Sequence, residues 1–320
     1  METYSGVDDG VTPETVRTAA TRSQVSDGGG LMTATRQEHE NWTAAGSDVA
    51  AKNTYSSIRR ALAEVSQRRD IEVFLQGSYA NATNIRNDSD VDIVVMTRQT
   101  FQGATERLSP AAQDQYHALP EARFTRDDLR REVTSALVTY YGAGRVHERN
   151  KCIKVDKAPG YVDADVVPSL QYRWYRTPGS GLHGDFVEGI AIHPLRGGRI
   201  INFPKEHIAN GQAKNSVCSG RYKESVRQVK RLRNRAVDEG RLRDGVAPGY
   251  LLECMVYNVP TDRFVSDDSD RLSSVILWLK HANRSGFLSC DRIHRLFKTD
   301  PGNFSVESAQ LIIDALWDAY

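Results

Sequence analysis

The chain has 320 residues, and its 42 lysines and arginines nearly balance 41 aspartates and glutamates, for a net charge of +1. That length allows a substantial core in one large or two modest lobes, two being the better fit, and the balance excludes a globally basic nucleic-acid or membrane-surface binder, so any polyanion handled is small. No apolar run approaches the roughly 20 residues of a membrane span and the N-terminus has no apolar signal core, so the cytoplasm is the expected location.

The arm before residue 36 is rich in Ser, Thr, Gly and Asp and has too few large apolar side chains to offset the entropy of ordering, which predicts a mobile segment over 1–35. From Gln37 to Gln67 the apolar residues Trp42, Ala45, Val49, Ile58, Leu62 and Val65 recur at three- and four-residue steps, predicting one or two helices. Ile71 to Leu75 alternates as a strand and Gly77-Ser78 breaks it; residues 90–96 read as a second strand, polar first and then apolar on both faces. A looser stretch with Pro110 and Pro120 leads to a helix start at Thr125-Arg126-Asp127-Asp128, with Leu129, Val133 and Leu137 on one face.

Residues 151–155 and 161–167 read as paired strands, and the Gly- and Pro-punctuated segment from Pro178 to Gly211, with a short strand at Arg199 to Phe203, reads as the link between lobes. Helices are expected over 221–237, near 250–256, and over 273–284, 291–297 and 306–319. The first lobe is therefore mixed α and β, and the second mostly helical. Cys152, Cys218, Cys254 and Cys290 form no C-x-x-C pair and no zinc-ligand spacing with histidine, which predicts ordinary reduced thiols.

The chemistry concentrates in Gln76-Gly77-Ser78-Tyr79, Asp90-Val91-Asp92 and Asp163-Ala164-Asp165. Side chains alternate along a strand, so Asp90 and Asp92 share a face while Val91 and Ile93 point into the core. Carboxylates held that close call for a cation, and magnesium suits an oxygen-only site that completes its shell with phosphate and water. With Asp165 from another strand, the set fits two Mg2+ ions, with Mn2+ as a substitute, and attack of a ribose hydroxyl on an α-phosphate with loss of pyrophosphate. Asp165 is the candidate to help deprotonate the hydroxyl, and Asp163 competes for that role. Gly77 lets the backbone approach phosphate, with Ser78 adding a hydroxyl. On the helix over 221–237, Val226, Val229, Leu232 and Ala236 form the core stripe and Lys223, Arg227, Lys230 and Asn234 cluster beside it. Lys230, at the stripe's edge, is the candidate to meet triphosphate, with Lys223 and Arg227 as weaker candidates.

The segments 74–84, 88–93, 151–155, 165–168, 202–205, 220–230 and 250–253 resemble the bacterial cGAS/DncV-like nucleotidyltransferases (CD-NTases) of CBASS antiphage signalling, within the polymerase-β-like superfamily. The resemblance implies an α+β fold: a polymerase-β-like catalytic lobe with a mixed sheet over 36–205, a helical lobe over 206–320, and a long N-terminal helix spanning both. It implies a synthase that joins nucleoside triphosphates into a cyclic di- or trinucleotide messenger read by a separate effector protein. By motif position Asp90, Asp92 and Asp165 would bind the metals, Gln76, Gly77 and Ser78 would hold nucleotide, and Lys230 would contact triphosphate. Gly249 stands where the family often has serine. The lack of a Cys/His zinc insertion is unlike the animal DNA sensor, so no direct DNA sensing is expected; neither is a membrane partner, and a monomer is. The competing expectations are a linear-product or RNA-tailing transferase, which the charge balance disfavours, and a catalytically silent nucleotide-binding regulator, which the surviving carboxylates disfavour.

Overall fold

The computed structural model describes residues 48–85, 90–298 and 304–320. The arm expected over 1–35 and the start of the helical stretch expected from Gln37 lie outside them. The described residues form two compact units, one of residues 48–79 and 90–205, the other of residues 80–85, 206–298 and 304–320.

The first unit is built on a seven-stranded mixed sheet. Its helices are α1 (Asp48–Ala61), α2 (Ala63–Arg68), the single turn α3 (Gly77–Ala80) that passes into the second unit, α4 (Pro110–His117) and α5 (Arg126–Tyr141). Its strands are β1 (Ile71–Leu75), β2 (Val91–Gly103), β3 (Val146–Glu148), β4 (Ile153–Val155), β5 (Ala164–Tyr175), β6 (Phe186–Ile192) and β7 (Ile200–Asn202). The order is β1-β2-β5-β4-β3, with β6 on the far half of β5 and β7 beside β6. Only β2 and β5 run parallel; every other pair is antiparallel.

Alternation along β2 explains why it sits at the centre. Val91, Ile93 and Val95 pack on one face against Leu129, Val133 and Leu137 of α5, Ile58 of α1 and Leu62 between α1 and α2. Val94 and Met96 pack on the other face with Val167, Ile190 and Ile192. Where a strand is covered on both faces it must be apolar, as β2 is from Ile93 to Met96. The entry to α5 is fixed by a capping box: Asp128 N–H donates to Thr125 Oγ1 at 3.2 Å, and Thr125 N–H donates to Asp128 Oδ2 at 2.9 Å.

Three expectations need correction. The segment from Pro178 to Gly211 is not merely a link: besides β7, where a short strand was expected, it supplies β6 and part of a helix. β6 escapes a propensity reading because it carries Gly189, needed where a Cβ would lie 2.7 Å from Phe203 Cε1. Pro110, placed in a looser stretch, instead starts α4 in its first turn behind the N-cap Ser109. Residues 291–297 are turns and bends rather than a helix. There Asp291 Oδ1 accepts from the backbone N–H groups of Ile293 and His294 at 2.9 and 3.0 Å, a local alternative to the helix ladder.

The second unit packs α6 (Pro204–Val217), α7 (Arg221–Asp238), α8 (Gly249–Tyr257), α9 (Asp268–His281) and α10 (Val306–Ala319). Its core joins Val226, Val229 and Leu232 of α7 to Leu251 and Met255 of α8, Val275 and Leu279 of α9, and Ile312 and Leu316 of α10. Asp267 caps α9 and Ser305 caps α10. Among the described residues no helix is long and apolar enough to cross a membrane.

One charged cluster ties the sheet of the first unit together. Glu188 on β6 accepts from Arg98 Nε at 3.0 Å, Lys205 Nζ at 2.7 Å and Gln171 Nε2 at 2.6 Å, while Lys205 also reaches Glu72 at 2.8 Å. Burial alone would push the Glu188 carboxyl up, but the Arg98, Lys205 and Gln171 bonds outweigh it and hold the group at about 2. A carboxyl depressed below its unfolded value stabilises the fold above the unfolded value, roughly pH 4.5, and that contribution disappears as pH falls through about 2. Glu188→Gln should therefore melt lower than wild type at pH 7, by about 1–3 kcal/mol, and the gap should close as the pH is lowered from 4.5 toward 2. Thermal melts of both proteins across that range check it; a gap that is constant with pH refutes the assignment.

Candidate active site

Asp90 directly precedes β2, and the chain enters the sheet at Val91. The parallel register sets Asp92 opposite Asp165 on β5, and the antiparallel register of β4 sets Lys154 opposite Asp165 on its other side. Neighbouring strands are only about 4.8 Å apart, so the three side chains share one strip of the sheet. Lys154 Nζ donates to Asp90 Oδ2 at 3.1 Å and lies 3.8 Å from Asp163 Oδ2. Asp90, Asp163 and Asp165 therefore act on one ammonium group, with Asp92 across the strip from Asp165.

The electrostatics follow from that crowding. Burial raises the Asp165 carboxyl above its ordinary range, and Asp90 and Asp163 push it further, against relief from Cys152 and Lys154. The buried Cys152 thiol is pushed up to about 12, first by burial and then by Asp165. Lys154 is raised chiefly by its bond to Asp90. A strip of carboxylate oxygens, one of them already resisting ionisation, favours added positive charge. The donor set is oxygen-rich and open to solvent at Asp90, whose side chain is 38% exposed, which fits hard divalent cations such as magnesium.

Gly77 stands directly against this strip. Gln76 N–H donates to the Asp92 carbonyl at 3.0 Å, closing the end of β1 onto β2, and Gly77 follows with φ +68°. A Cβ there would collide with Asp92 Oδ2 and lie 3.2 Å from its Cγ. Both facts demand glycine: the left-handed backbone and the carboxylate packed on its Cα. Gly77 opens the single-turn α3, and Ser78 is its second residue.

In the helical unit, Lys230, expected at the edge of the core stripe, is buried, with 3% of its surface exposed. Its Nζ donates to the Thr83 carbonyl at 3.0 Å, and Thr83 Oγ1 donates to Glu253 Oε2 at 2.9 Å. Glu253 Oε1 lies 3.0 Å from His207 Nε2. Burial would raise the Glu253 carboxyl, but His207, Lys230 and Thr83 together hold it below the ordinary range, while Glu253 overcomes burial to lift His207 to about 9. Arg227 Nη1 donates to the Ala82 carbonyl at 2.6 Å, and burial lowers both Arg227 and Lys223. The unit thus gathers Lys223, Arg227 and Lys230 on α7 near the 80–85 segment.

Sequence reasoning missed Lys154, Thr83, Glu253 and His207 as members of these networks. The signal for Glu253 was available: a lone acid inside Tyr250-Leu251-Leu252-Glu253-Cys254-Met255-Val256 must be buried, and a buried acid needs partners. Asn202, at the end of β7, also escaped; its Oδ1 is buried and has no hydrogen-bond partner.

A mixed sheet carrying paired carboxylates beside a Gly-Ser turn, joined to a helical unit, defines a nucleotidyltransferase. Residues 57–151 match the nucleotidyltransferase domain model, and residues 209–320 match the cGAS/DncV-like nucleotidyltransferase C-terminal helical domain. The chain is similar to the cyclic UMP-AMP synthase of Rhodothermus marinus, 37% identical over 286 residues that cover 88% of this chain and 96% of the relative. It is also 37% identical over 219 residues to a cyclic dipyrimidine nucleotide synthase of Legionella pneumophila, covering 68% of this chain and 73% of that one. The solved structure of the Rhodothermus marinus CdnE c-UMP-AMP synthase with Apcpp and Upnpp superposes with a TM-score of 0.79 at 35% identity, over 89% of this chain and 96% of that one. The chain belongs to the cGAS/DncV-like nucleotidyltransferases and is an enzyme of that class.

Gly77→Ala should leave the sheet folded, since the turn is at its rim, but should lower nucleotide incorporation at least about tenfold by displacing the Asp92 carboxylate. Pyrophosphate release beside a circular-dichroism melt checks both halves; full activity in the variant would show that the contact with Asp92 is dispensable.

Proposed function

We propose that this enzyme joins nucleoside triphosphates into a cyclic di- or trinucleotide, releasing pyrophosphate, and that the product acts in antiphage defence by engaging a separate effector. The observation that carries the reading is the register of Asp92 against Asp165 with Gly77 packed beneath. Asp90, Asp92 and Asp165 would hold two magnesium ions, which when bound supply charge neutralisation for the triphosphate and a lowered pKa for the attacking hydroxyl. Asp165, already reluctant to ionise, is suited to accept a proton from the ribose hydroxyl. Lys154 keeps Asp90 oriented. The Gln76, Gly77 and Ser78 turn offers backbone N–H groups and a hydroxyl to phosphate. Lys230, Lys223 and Arg227 would meet the triphosphate, with Lys230 the strongest candidate because Thr83 fixes its ammonium group.

The two relatives at 37% identity are named for products that contain a pyrimidine, so UTP paired with ATP is the first substrate mixture to try. Incubation with four nucleoside triphosphates and magnesium, followed by phosphatase and mass spectrometry, tests the reading. A phosphatase-resistant cyclic product supports it; extended RNA primers would favour a tailing enzyme, and binding without pyrophosphate release a silent regulator. Asp92→Asn and Asp165→Asn should each lower turnover by about a thousandfold or more without unfolding the sheet, as expected when the charge that anchors the ions is removed. Lys230→Ala should mainly raise KM for triphosphate, measured by initial-rate kinetics. Retained turnover in both aspartate variants would dismantle the metal assignment.

A further inference from the structure

The helical unit brings together three residues that are far apart in sequence: His207 on α6, Cys254 on α8 and Cys290 in the segment after α9. Their ligand atoms all lie within 4.8 Å of one another, and both cysteines are fully buried. We propose that His207, Cys254 and Cys290 form a zinc site in the helical unit, made of other residues than the carboxylate strip. Sulfur and imidazole are the donors zinc prefers, and a Cys2His set recurs as a three-ligand zinc site with a fourth position left to water or a small ligand.

Ordinary core packing accounts for a buried cysteine but not for the groups aimed at these sulfurs. Cys254 Sγ accepts from the backbone N–H of Cys290 at 3.4 Å, and Tyr222 Oη lies 3.7 Å from Cys290 Sγ. The backbone N–H directed at Cys254 Sγ favours thiolate there, the form that binds metal, whereas burial and the neighbouring Cys254 keep the Cys290 thiol protonated until a cation displaces its proton. The histidine is prepared in the same sense: Glu253 engages Nε2 at 3.0 Å, which leaves Nδ1 for the metal, and a ligating histidine typically gives its other ring nitrogen to a carboxylate. Donor atoms around a tetrahedral zinc stand roughly 3.5–3.8 Å apart, so closure by up to about 1 Å completes the set. His207 retains 12% side-chain exposure, enough for water to reach the fourth position.

Binding balances simply. Zinc displaces one proton from each thiol and, where His207 is an imidazolium, a third from Nδ1; no electrons move. Glu253 keeps its bond to His207 Nε2 in either state, so the Thr83 and Lys230 contacts need not change on loading.

The decisive experiment treats the reduced, chelator-stripped full chain with Co2+ and then Zn2+. The expected result is about one equivalent of cobalt with thiolate-to-cobalt charge-transfer absorption, which zinc then bleaches. Because Cys152 contacts Asp165, Cys152→Ser is included: the band should persist in that variant, and its loss there would assign the cobalt to the carboxylate strip and overturn the proposal. Cys254→Ser and Cys290→Ser should each abolish the band, while Cys218→Ser, outside the cluster, should keep it. Should the serine variants fold poorly, X-ray absorption of the zinc-loaded wild type decides, with sulfur at about 2.3 Å expected. A spectrum with only oxygen and nitrogen scatterers, no charge-transfer band in the wild type, or an intact mass two hydrogens lower from a Cys254–Cys290 disulfide would each overturn the proposal.

Discussion

The parallel pairing of β2 with β5 is the constraint on which the site depends. It fixes Asp92 beside Asp165, and nothing about either side chain would choose that neighbour. Two like charges roughly 4 Å apart repel by about 1 kcal/mol in water and about 4 kcal/mol at the effective dielectric near a protein surface. Against that stand Val91, Ile93, Val94, Val95 and Met96, all fully buried, each contributing about 1.5–3 kcal/mol. Packing wins comfortably, so the apolar remainder of β2 holds its acidic end in an unfavourable arrangement. Such electrostatic tension favours added positive charge at the strip, part of which Lys154 supplies through its bond to Asp90.

How much of this was legible in the sequence depends on whether the information is local. The Asp-x-Asp at the head of an apolar run places two carboxylates at one strand end by alternation alone, and the Thr125 capping box and the stripe of α7 announce their helices. The segment around Phe186–Ile192 was not legible, because a Gly189 chosen for close approach to Phe203 erases strand propensity where the tertiary contact needs it. Asp291 misled in the other direction: its surroundings look helical, but its carboxylate offers the backbone a competing set of bonds. Lys154 could be found only through register, since the bond to Asp90 joins residues 64 apart.

The buried polar chain of the helical unit makes a different point about the same limit. His207, Glu253, Thr83 and Lys230 are each unremarkable in sequence, and each would be costly alone in a core. Joined, every charge has a partner, and removal of one member would strand the others. Such a network is poor evidence of stability and better evidence of position: it holds one ammonium group at one place against the Thr83 carbonyl.

Gly249 can then be understood as part of that positioning rather than as a lost hydroxyl. A Cβ at 249 would lie 3.1 Å from Lys230 Cε and 3.3 Å from its Nζ, tighter than ordinary packing. With glycine at the head of α8, the lysine stem lies across the helix start and its ammonium reaches Thr83 without being displaced. The absent side chain and the buried lysine are therefore fitted to one another: any side chain at 249 would crowd the Lys230 stem where it passes the head of α8.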